Sequence, residues 1–413
     1  MEYHLKQCER VFNEKIYLAS SKSESNRALI INALSGFKGE LHNLSTARDT
    51  QTMMRLLASP DDVADVLDAG TTMRFLTAYF ALTNHKKTMT GTPRMCQRPI
   101  GLLTDALEKI GVELEFLAEK GYPPVKIKGF SQQKTNQIQI AGDVSSQYIS
   151  ALLMIAPTLP EGLHIQLTGE IGSIPYIKMT IAQMRAFGVE VEENWEDKTL
   201  KVQSQAYKAS SYSIESDWSG ASYWYSIVAL SPFENTKIEL IGLHQNSLQG
   251  DSVIVQMMAQ LGVKSTFNET GVLLEKIPAQ NSFAWDFSNC PDLAQTISVI
   301  LVAKNIKGEF TGVESLKIKE TDRILAIQTE LAKIGGACEE TIPNQKYSVN
   351  RKTTELIPNP TIDTYEDHRM AMAFAPLAML MPLTIEEPGV VAKSYPSFWS
   401  DLNKVIEIEN FQV

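Results

Sequence analysis

The stretch Gln183-Met184-Arg185-Ala186-Phe187-Gly188-Val189-Glu190 closes an amphipathic helical pattern on a glycine and passes into an alternating one. It has three counterparts: Ala106-Leu107-Glu108-Lys109-Ile110-Gly111-Val112-Glu113, Met258-Ala259-Gln260-Leu261-Gly262-Val263-Lys264 and Leu331-Ala332-Lys333-Ile334-Gly335-Gly336-Ala337. The glycines Gly111, Gly188, Gly262 and Gly335 lie 77, 74 and 73 positions apart. Glycine suits the left-handed residue that ends a helix, and the alternation after it suits a half-buried strand. The period is longer than that of the common solenoid repeats. It predicts an α/β unit of two helices and several strands, used repeatedly.

Around that frame, a chain of 413 residues predicts two or three domains. The net charge of -10 argues against nucleic-acid and anionic-membrane partners, which require a basic face. A basic pocket inside an acidic protein would instead point to a specific small anion. Cys8, Cys96, Cys290 and Cys338 are scattered without a C-x-x-C pair, as expected for a reducing compartment and no structural zinc. The segment Met1 to Arg10 carries charges from its start, so no signal peptide is expected. The apolar run Met370 to Ile385 is too short to span a bilayer and contains Pro376 and Pro382, which predicts a buried helix followed by a turn. These features together predict a cytoplasmic protein.

The P-loop and G-x-G-x-x-G fingerprints are absent, as are H-E-x-x-H and G-x-S-x-G, so nucleotide, dinucleotide, zinc-protease and serine-hydrolase readings lose support. No metal and no cofactor is expected. Short basic and hydroxyl-rich segments occur instead. Ser20-Ser21-Lys22-Ser23-Glu24-Ser25-Asn26-Arg27 reads as a helix start, where free N–H groups favour an anion, with Ser23 and Arg27 on one face beside Lys22. Asp68-Ala69-Gly70-Thr71-Thr72-Met73-Arg74 is a small-residue turn entering an apolar helix. Arg94 and Arg98 flank a proline-bounded turn in a chain with 11 arginines against 27 lysines, and a guanidinium fork matches carboxylate or phosphate. Ser145-Ser146-Gln147 and Gly172-Ser173-Ile174-Pro175-Tyr176 each place hydroxyls before a helix. Each segment also has an ordinary reading as an N-cap or a solvated turn.

Farther along, Lys317-Ile318-Lys319-Glu320-Thr321-Asp322-Arg323 would place Lys319, Glu320 and Arg323 on one face if helical. A carboxylate held between cations can carry a proton when desolvated. Glu366-Asp367-His368-Arg369 directly precedes an apolar helical run, and Lys393 is a lone cation in an apolar setting. Asp292, in Cys290-Pro291-Asp292-Leu293-Ala294, begins another apolar helix and reads most simply as its N-cap. The inventory supplies cations and hydroxyls for a doubly anionic substrate pair, with Asp292, Glu320 and His368 as acid–base candidates.

In this order the segments resemble the 5-enolpyruvylshikimate-3-phosphate synthases (3-phosphoshikimate 1-carboxyvinyltransferases) of the enolpyruvyl transferase family. The resemblance runs from Lys22-Ser23-x-Ser25-Asn26-Arg27, through Pro93-Arg94-Met95, Arg98-Pro99-Ile100-Gly101, Ser145-Ser146-Gln147, Lys319-Glu320-Thr321-Asp322-Arg323 and Asp367-His368-Arg369-Met370-Ala371-Met372, to Ala392-Lys393-Ser394-Tyr395-Pro396. It implies transfer of the enolpyruvyl group of phosphoenolpyruvate to the 5-hydroxyl of shikimate 3-phosphate, with loss of phosphate and without a metal, in aromatic amino acid biosynthesis. It also implies an α/β fold of two similar domains, each of three βαβαββ-type units, with the active site in the inter-domain cleft. The chain crossings implied fall near Ala19 and Ser216, giving residues 1–19 and 217–413 as one discontinuous domain and residues 20–216 as an inserted one. The partners implied are the two small substrates alone, taken up by a monomer.

By the same resemblance Lys22, Ser23, Arg27, Ser145, Ser146, Gln147, Ser173, Tyr176, Asp292, Ser315 and Lys319 take shikimate 3-phosphate. Lys22, Gly70, Arg98, Gln147, Arg323, Arg369 and Lys393 surround phosphoenolpyruvate. Asp292 resembles the base for the 5-hydroxyl and Glu320 the acid for the methylene carbon, with Lys22 and His368 completing the catalytic set. Four departures stand out: Asp68 and Ser315 where asparagine is frequent, Phe75 where many members have proline, and Ala19-Ser20 for Pro-Gly. Asp68 is expected to set a carboxylate near an anion unless something compensates, and Phe75 to shift the helix bearing Gly70. The segment between Leu57 and Asp68 is short, which predicts that one repeat has lost a hairpin. Two alternatives compete. The sister UDP-N-acetylglucosamine enolpyruvyl transferases carry a loop cysteine several residues before the arginine matching Arg98, whereas Cys96 is two before it. A non-catalytic binding protein on the same scaffold would be expected to lack Asp292, Glu320 or Lys22, and all three are present.

Overall fold

The computed structural model describes residues 1–143 and 145–410. The chain divides into two compact units, Ser20–Ile214 and Met1–Ala19 joined to the chain from Glu215 onward. The second crossing thus precedes Glu215, not Asp217. Ser216 N donates to Gly242 O at 3.1 Å, and the Glu215 carboxylate accepts from Trp218 Nε1 at 2.9 Å and His244 N at 2.8 Å, so both residues are tied to the unit that holds Gly242.

One strand pattern recurs. In the unit with the N-terminus, Asn13–Tyr17 runs parallel to Lys237–Ile241, which pairs antiparallel with Gly271–Lys276, itself antiparallel to Val263–Phe267. Ser282–Asp286, Lys307–Thr311, Lys346–Arg351 and Gly336–Ile342 repeat the arrangement. Thr361–Ile362, Leu383–Glu386, Glu2–Leu5 and Ile408–Glu409 repeat it again.

The inserted unit has two full copies, Val63–Asp65, Thr88–Thr90, Val125–Phe130 and Val112–Phe116, then Gln137–Ala141, Leu163–Thr168, Thr199–Val202 and Glu192–Asn194. Its remaining sheet is the parallel pair Ser211–Ser213 and Glu40–His42 alone. The helix Arg48–Ala58 passes through Ser59 and Pro60 to Val63–Asp65 without a hairpin between. The short segment after Leu57 is where that hairpin is missing, as the sequence predicts.

Two kinds of helix fill the repeats. The helix after each parallel edge strand is apolar on most sides and buried: Gly70–Leu82 and Ser146–Ile155 in one unit, Ala294–Lys304 and His368–Phe374 in the other. Lys22–Leu34 and Trp218–Leu230, which each begin just after a crossing, play the same part. Helices apolar all round belong in a core, and three such helices pack together in each unit. The later helix of a repeat is amphipathic and covers the outside, as Gly101–Ile110 and Ile254–Leu261 do. Because the buried helices leave their first N–H groups without intrahelical partners, their starts are where polar residues gather. Among the described residues, no helix is long and apolar enough to cross a membrane.

The four repeat glycines have φ of +122° at Gly111, +76° at Gly188, +105° at Gly262 and +81° at Gly335, the conformation that the sequence pattern requires of them. A Cβ on Gly111 would also lie 2.3 Å from Gln132 O. Gly111→Ala is therefore expected to destabilise the protein by about 3 kcal/mol in chemical denaturation. Gly172, which has open space around it, should tolerate alanine within about 0.5 kcal/mol.

Candidate active site

In the inserted unit the predicted residues gather at the starts of the buried helices. Lys22 is the first residue of Lys22–Leu34, behind the N-cap Ser21, and its Nζ lies 3.3 Å from Asp49 Oδ2. One turn on, Arg27 is 2% exposed. Its Nε donates to Thr180 Oγ1 at 2.7 Å, Nη1 to Ser23 O at 2.8 Å and Nη2 to Ser150 Oγ at 3.3 Å. The rings of Phe75 and Tyr176 stand 5.3 Å and 5.7 Å from its guanidinium carbon. Burial lowers the guanidinium to about 10, with Tyr176 and Glu24 opposing the change.

Gly70 opens the helix Gly70–Leu82, and the Arg98 guanidinium lies across it so closely that a Cβ would sit 2.8 Å from Nη2. Gln147 Nε2 donates to Thr71 Oγ1 at 3.2 Å, which joins two of these helix starts. Ser145 caps Ser146–Ile155, its hydroxyl accepting from Gln147 N at 3.4 Å, and Ser146 is buried behind it. Ser173 has φ +55° before the helix Ile174–Ala186. Arg94 is exposed.

The other unit gathers its charges around Arg323, a guanidinium also 2% exposed. Nε donates to Asp367 Oδ2 at 2.6 Å, Nη1 to Asp292 Oδ1 at 2.8 Å and Nη2 to Glu320 Oε2 at 2.9 Å. The second oxygen of Asp292 accepts from Arg369 Nη2 at 2.7 Å, and Arg369 Nη1 donates to Tyr223 Oη at 3.5 Å. Lys393, fully buried at the end of the turn Pro388–Lys393, has its Nζ 3.5 Å from Glu320 Oε1. Burial alone would raise Asp292, but Arg369, Arg323 and Lys319 outweigh it and hold the carboxyl well below the usual carboxylate range. Burial likewise would lower Arg323, and Asp367, Glu320 and Asp292 carry it above the usual arginine range.

Two local readings change. Asp292 lies inside the turn Pro291–Leu293 that leads into Ala294–Lys304, and its side chain bonds two arginines instead of capping the helix. The chain is not helical from Lys319 to Asp322; the helix begins at Arg323 with Asp322 as N-cap, and Glu320 meets Arg323 from the preceding turn. Ser315 is exposed on the turn Glu314–Ile318. His368 opens its helix after the N-cap Asp367; it is buried, with Nδ1 3.7 Å from Asp367 Oδ1. Two of the departures have partners. Arg48 Nη2 donates to both oxygens of Asp68, at 3.0 Å and 2.9 Å, which offsets that carboxylate. Phe75 faces Arg27. No group of three or more His, Cys, Asp or Glu side chains among the described residues is placed to hold a metal ion.

Asp49, Asp251, Thr180 and Ser150 were not singled out by sequence reasoning. Asp251 is buried in the turn Gly250–Val253, accepts from Ser219 Oγ on one oxygen, and has no partner for the other among the described residues. Burial, and then the charge of Asp292, push its carboxyl up to about 7. A carboxyl raised in the folded state contributes stability below its unfolded value and loses it as pH rises through the folded one. Asp251→Asn keeps the shape without the charge. Its melting temperature relative to the parent should therefore rise between about pH 5 and about pH 8; a difference that stays constant with pH would contradict this.

Comparison with known proteins identifies the family. The family described as EPSP synthase (3-phosphoshikimate 1-carboxyvinyltransferase) matches residues 55–402. The 3-phosphoshikimate 1-carboxyvinyltransferase of Bacteroides fragilis (strain YCH46) is 48% identical over 392 residues, covering 94% of each chain. That of Methanospirillum hungatei JF-1 is 34% identical over 418 residues, covering 93% of this chain and 94% of its own. Among solved structures, an EPSP synthase from Acinetobacter baumannii superposes with a TM-score of 0.78 at 19% identity, over 99% of this chain and 100% of that one, which shows a shared fold. The chain belongs to the EPSP synthase (3-phosphoshikimate 1-carboxyvinyltransferase) family.

Proposed function

We propose that the two residue sets divide the labour of enolpyruvyl transfer from phosphoenolpyruvate to the 5-hydroxyl of shikimate 3-phosphate. The inserted unit supplies anion receptors. Ser23, Arg27, Ser145, Ser146, Ser173 and Tyr176 take the phosphorylated sugar acid, and Lys22 and Gln147 reach both substrates. Arg98, lying over Gly70, takes phosphoenolpyruvate. The unit built around Arg323 supplies the proton traffic, with Lys319 and Ser315 assigned to the sugar acid and Arg323, Arg369 and Lys393 to phosphoenolpyruvate. His368, buried beside Asp367, is assigned a positioning role through that carboxylate.

The observation that carries this reading is the placement of Asp292 and Glu320 on the same guanidinium, Arg323. Asp292 is bonded by two arginines, which keeps it ionised but a poor base. An arriving phosphoenolpyruvate anion competes for both guanidinium groups, and their withdrawal restores the basicity of Asp292. Glu320 then delivers a proton to the methylene carbon, C2 gains cationic character, and the 5-oxygen bonds to C2 as Asp292 accepts its proton. The bond from C2 to the phosphate oxygen then breaks, the leaving phosphate takes the proton held by Asp292, and return of a methyl proton to Glu320 restores the vinyl group. Lys393, 3.5 Å from Glu320, is close enough to exchange a proton with it. The cations hold the developing charge in place throughout. The four cysteines are free, which supports assignment to the reducing cytoplasm, and we take the active species to be a monomer.

The direct test is phosphate release from phosphoenolpyruvate with EDTA present. Release that requires shikimate 3-phosphate is expected. Binding of both ligands without release would favour a non-catalytic binding protein. Within this scheme Glu320→Gln should lower turnover by roughly two to four orders of magnitude, the range for a lost general acid, with little change in ligand affinity. Gly70→Ala drives its methyl into Arg98. It should raise the Michaelis constant for phosphoenolpyruvate by roughly 10-fold or more, as a displaced charged hydrogen bond would, while the dissociation constant of shikimate 3-phosphate alone stays near that of the parent.

A further inference from the structure

Arg27 and Arg323 are equally buried, yet their surroundings differ. Arg323 is bonded by three carboxylates. Arg27 donates to two hydroxyls and one backbone carbonyl, and no ion pair to it occurs among the described residues. A buried cation that no carboxylate bonds is disfavoured; Glu24 attracts Arg27 without an ion pair, and the groups in direct contact with the guanidinium must meet the rest of its charge. Ring faces carry negative potential and attract a guanidinium. The Phe75 ring lies 5.3 Å from the Arg27 guanidinium carbon and the Tyr176 ring 5.7 Å from it. Tyr176 is half-buried, whereas Phe75 is fully buried inside the helix Gly70–Leu82, so Phe75 acts on Arg27 and not on a ligand.

We propose that Phe75 is a positioning residue for shikimate 3-phosphate. Its ring face holds the Arg27 guanidinium in one orientation, with three of the five N–H groups spent on neutral protein partners and the others left for an anionic oxygen of the sugar acid. This rests on the assignment of Arg27 to shikimate 3-phosphate made above. A carboxylate in place of the ring would hold Arg27 as firmly but would compete with the substrate anion. An apolar face holds it without competing.

The experiment compares the full-length protein with Phe75→Leu and with trifluorophenylalanine incorporated at position 75. The first removes the face, and the second keeps the ring's shape while draining its negative potential. The dissociation constant of shikimate 3-phosphate, measured by calorimetry without phosphoenolpyruvate, should rise roughly 5- to 30-fold in both, the factor that a guanidinium–ring contact represents. The Michaelis constant for phosphoenolpyruvate at saturating shikimate 3-phosphate should move by less than about twofold, because Arg98 and Gly70 are not part of the contact. Unchanged shikimate 3-phosphate binding in the trifluorophenylalanine protein would overturn the proposal. So would equal losses for the two substrates, the sign of a distorted Gly70–Leu82 helix. A parent protein that does not bind shikimate 3-phosphate would overturn the functional assignment itself, a result distinct from either.

Discussion

A guanidinium buried to 2% exposure and bonded to Asp367, Asp292 and Glu320 is the constraint on which the unit around it turns. Removing such a charge from water is tolerable here because it is paired and its N–H groups are satisfied. The pairing in turn fixes three separate chain segments: the turn holding Asp292, the turn before Arg323 that holds Glu320, and the N-cap Asp367 of the helix His368–Phe374. Arg369 and Lys393 then occupy the remaining carboxylate oxygens. The proposed acid–base pair is thus placed by the same contacts that make the buried charge bearable.

The two units solve one electrostatic problem in opposite ways. Around Arg323 the protein supplies its own anions, so the network is close to neutral, and in the proposed reaction substrate enters by exchange. Around Arg27 the protein supplies hydroxyls and ring faces, so the positive charge remains available to an incoming anion. The carboxylates Asp292 and Asp367 lie at the starts of the buried helices Ala294–Lys304 and His368–Phe374, and Arg27 lies in the second turn of the buried helix Lys22–Leu34; there the backbone has N–H groups to offer and the apolar helix body excludes water. The repeat architecture explains why six such helix starts exist at all: each repeat places one buried helix directly after a parallel edge strand or a crossing.

Much of this is legible in the sequence because it is local. Gly111, Gly188, Gly262 and Gly335 announce the repeat through a backbone requirement that few other residues meet. Ser23 and Arg27 share a helix face by spacing alone, and Arg27 Nη1 reaches back to the Ser23 carbonyl. The missing hairpin follows from a count of residues after Leu57.

What the sequence hides is tertiary. Asp292 resembles an N-cap because capping is a local habit, and only Arg323 and Arg369, distant in sequence, redirect it. Thr180 and Ser150 sit within apolar helical runs and gain meaning only when Arg27 reaches them. Asp251 follows an unremarkable Gln-Gly pair, and Phe75 reads as bulk until Arg27 is found against its face.

The central claim is that substrate replaces Asp292 on the arginines. It is tested most directly by a crystal structure with shikimate 3-phosphate and phosphoenolpyruvate bound to a slow Glu320→Gln protein. Asp292 is 2.8 Å from Arg323 and 2.7 Å from Arg369. The account predicts that phosphoenolpyruvate oxygens accept from both guanidinium groups and that at least one Asp292 contact lengthens beyond about 3.5 Å, out of hydrogen-bond range. Full occupancy of both substrates with both Asp292–arginine bonds intact would contradict it.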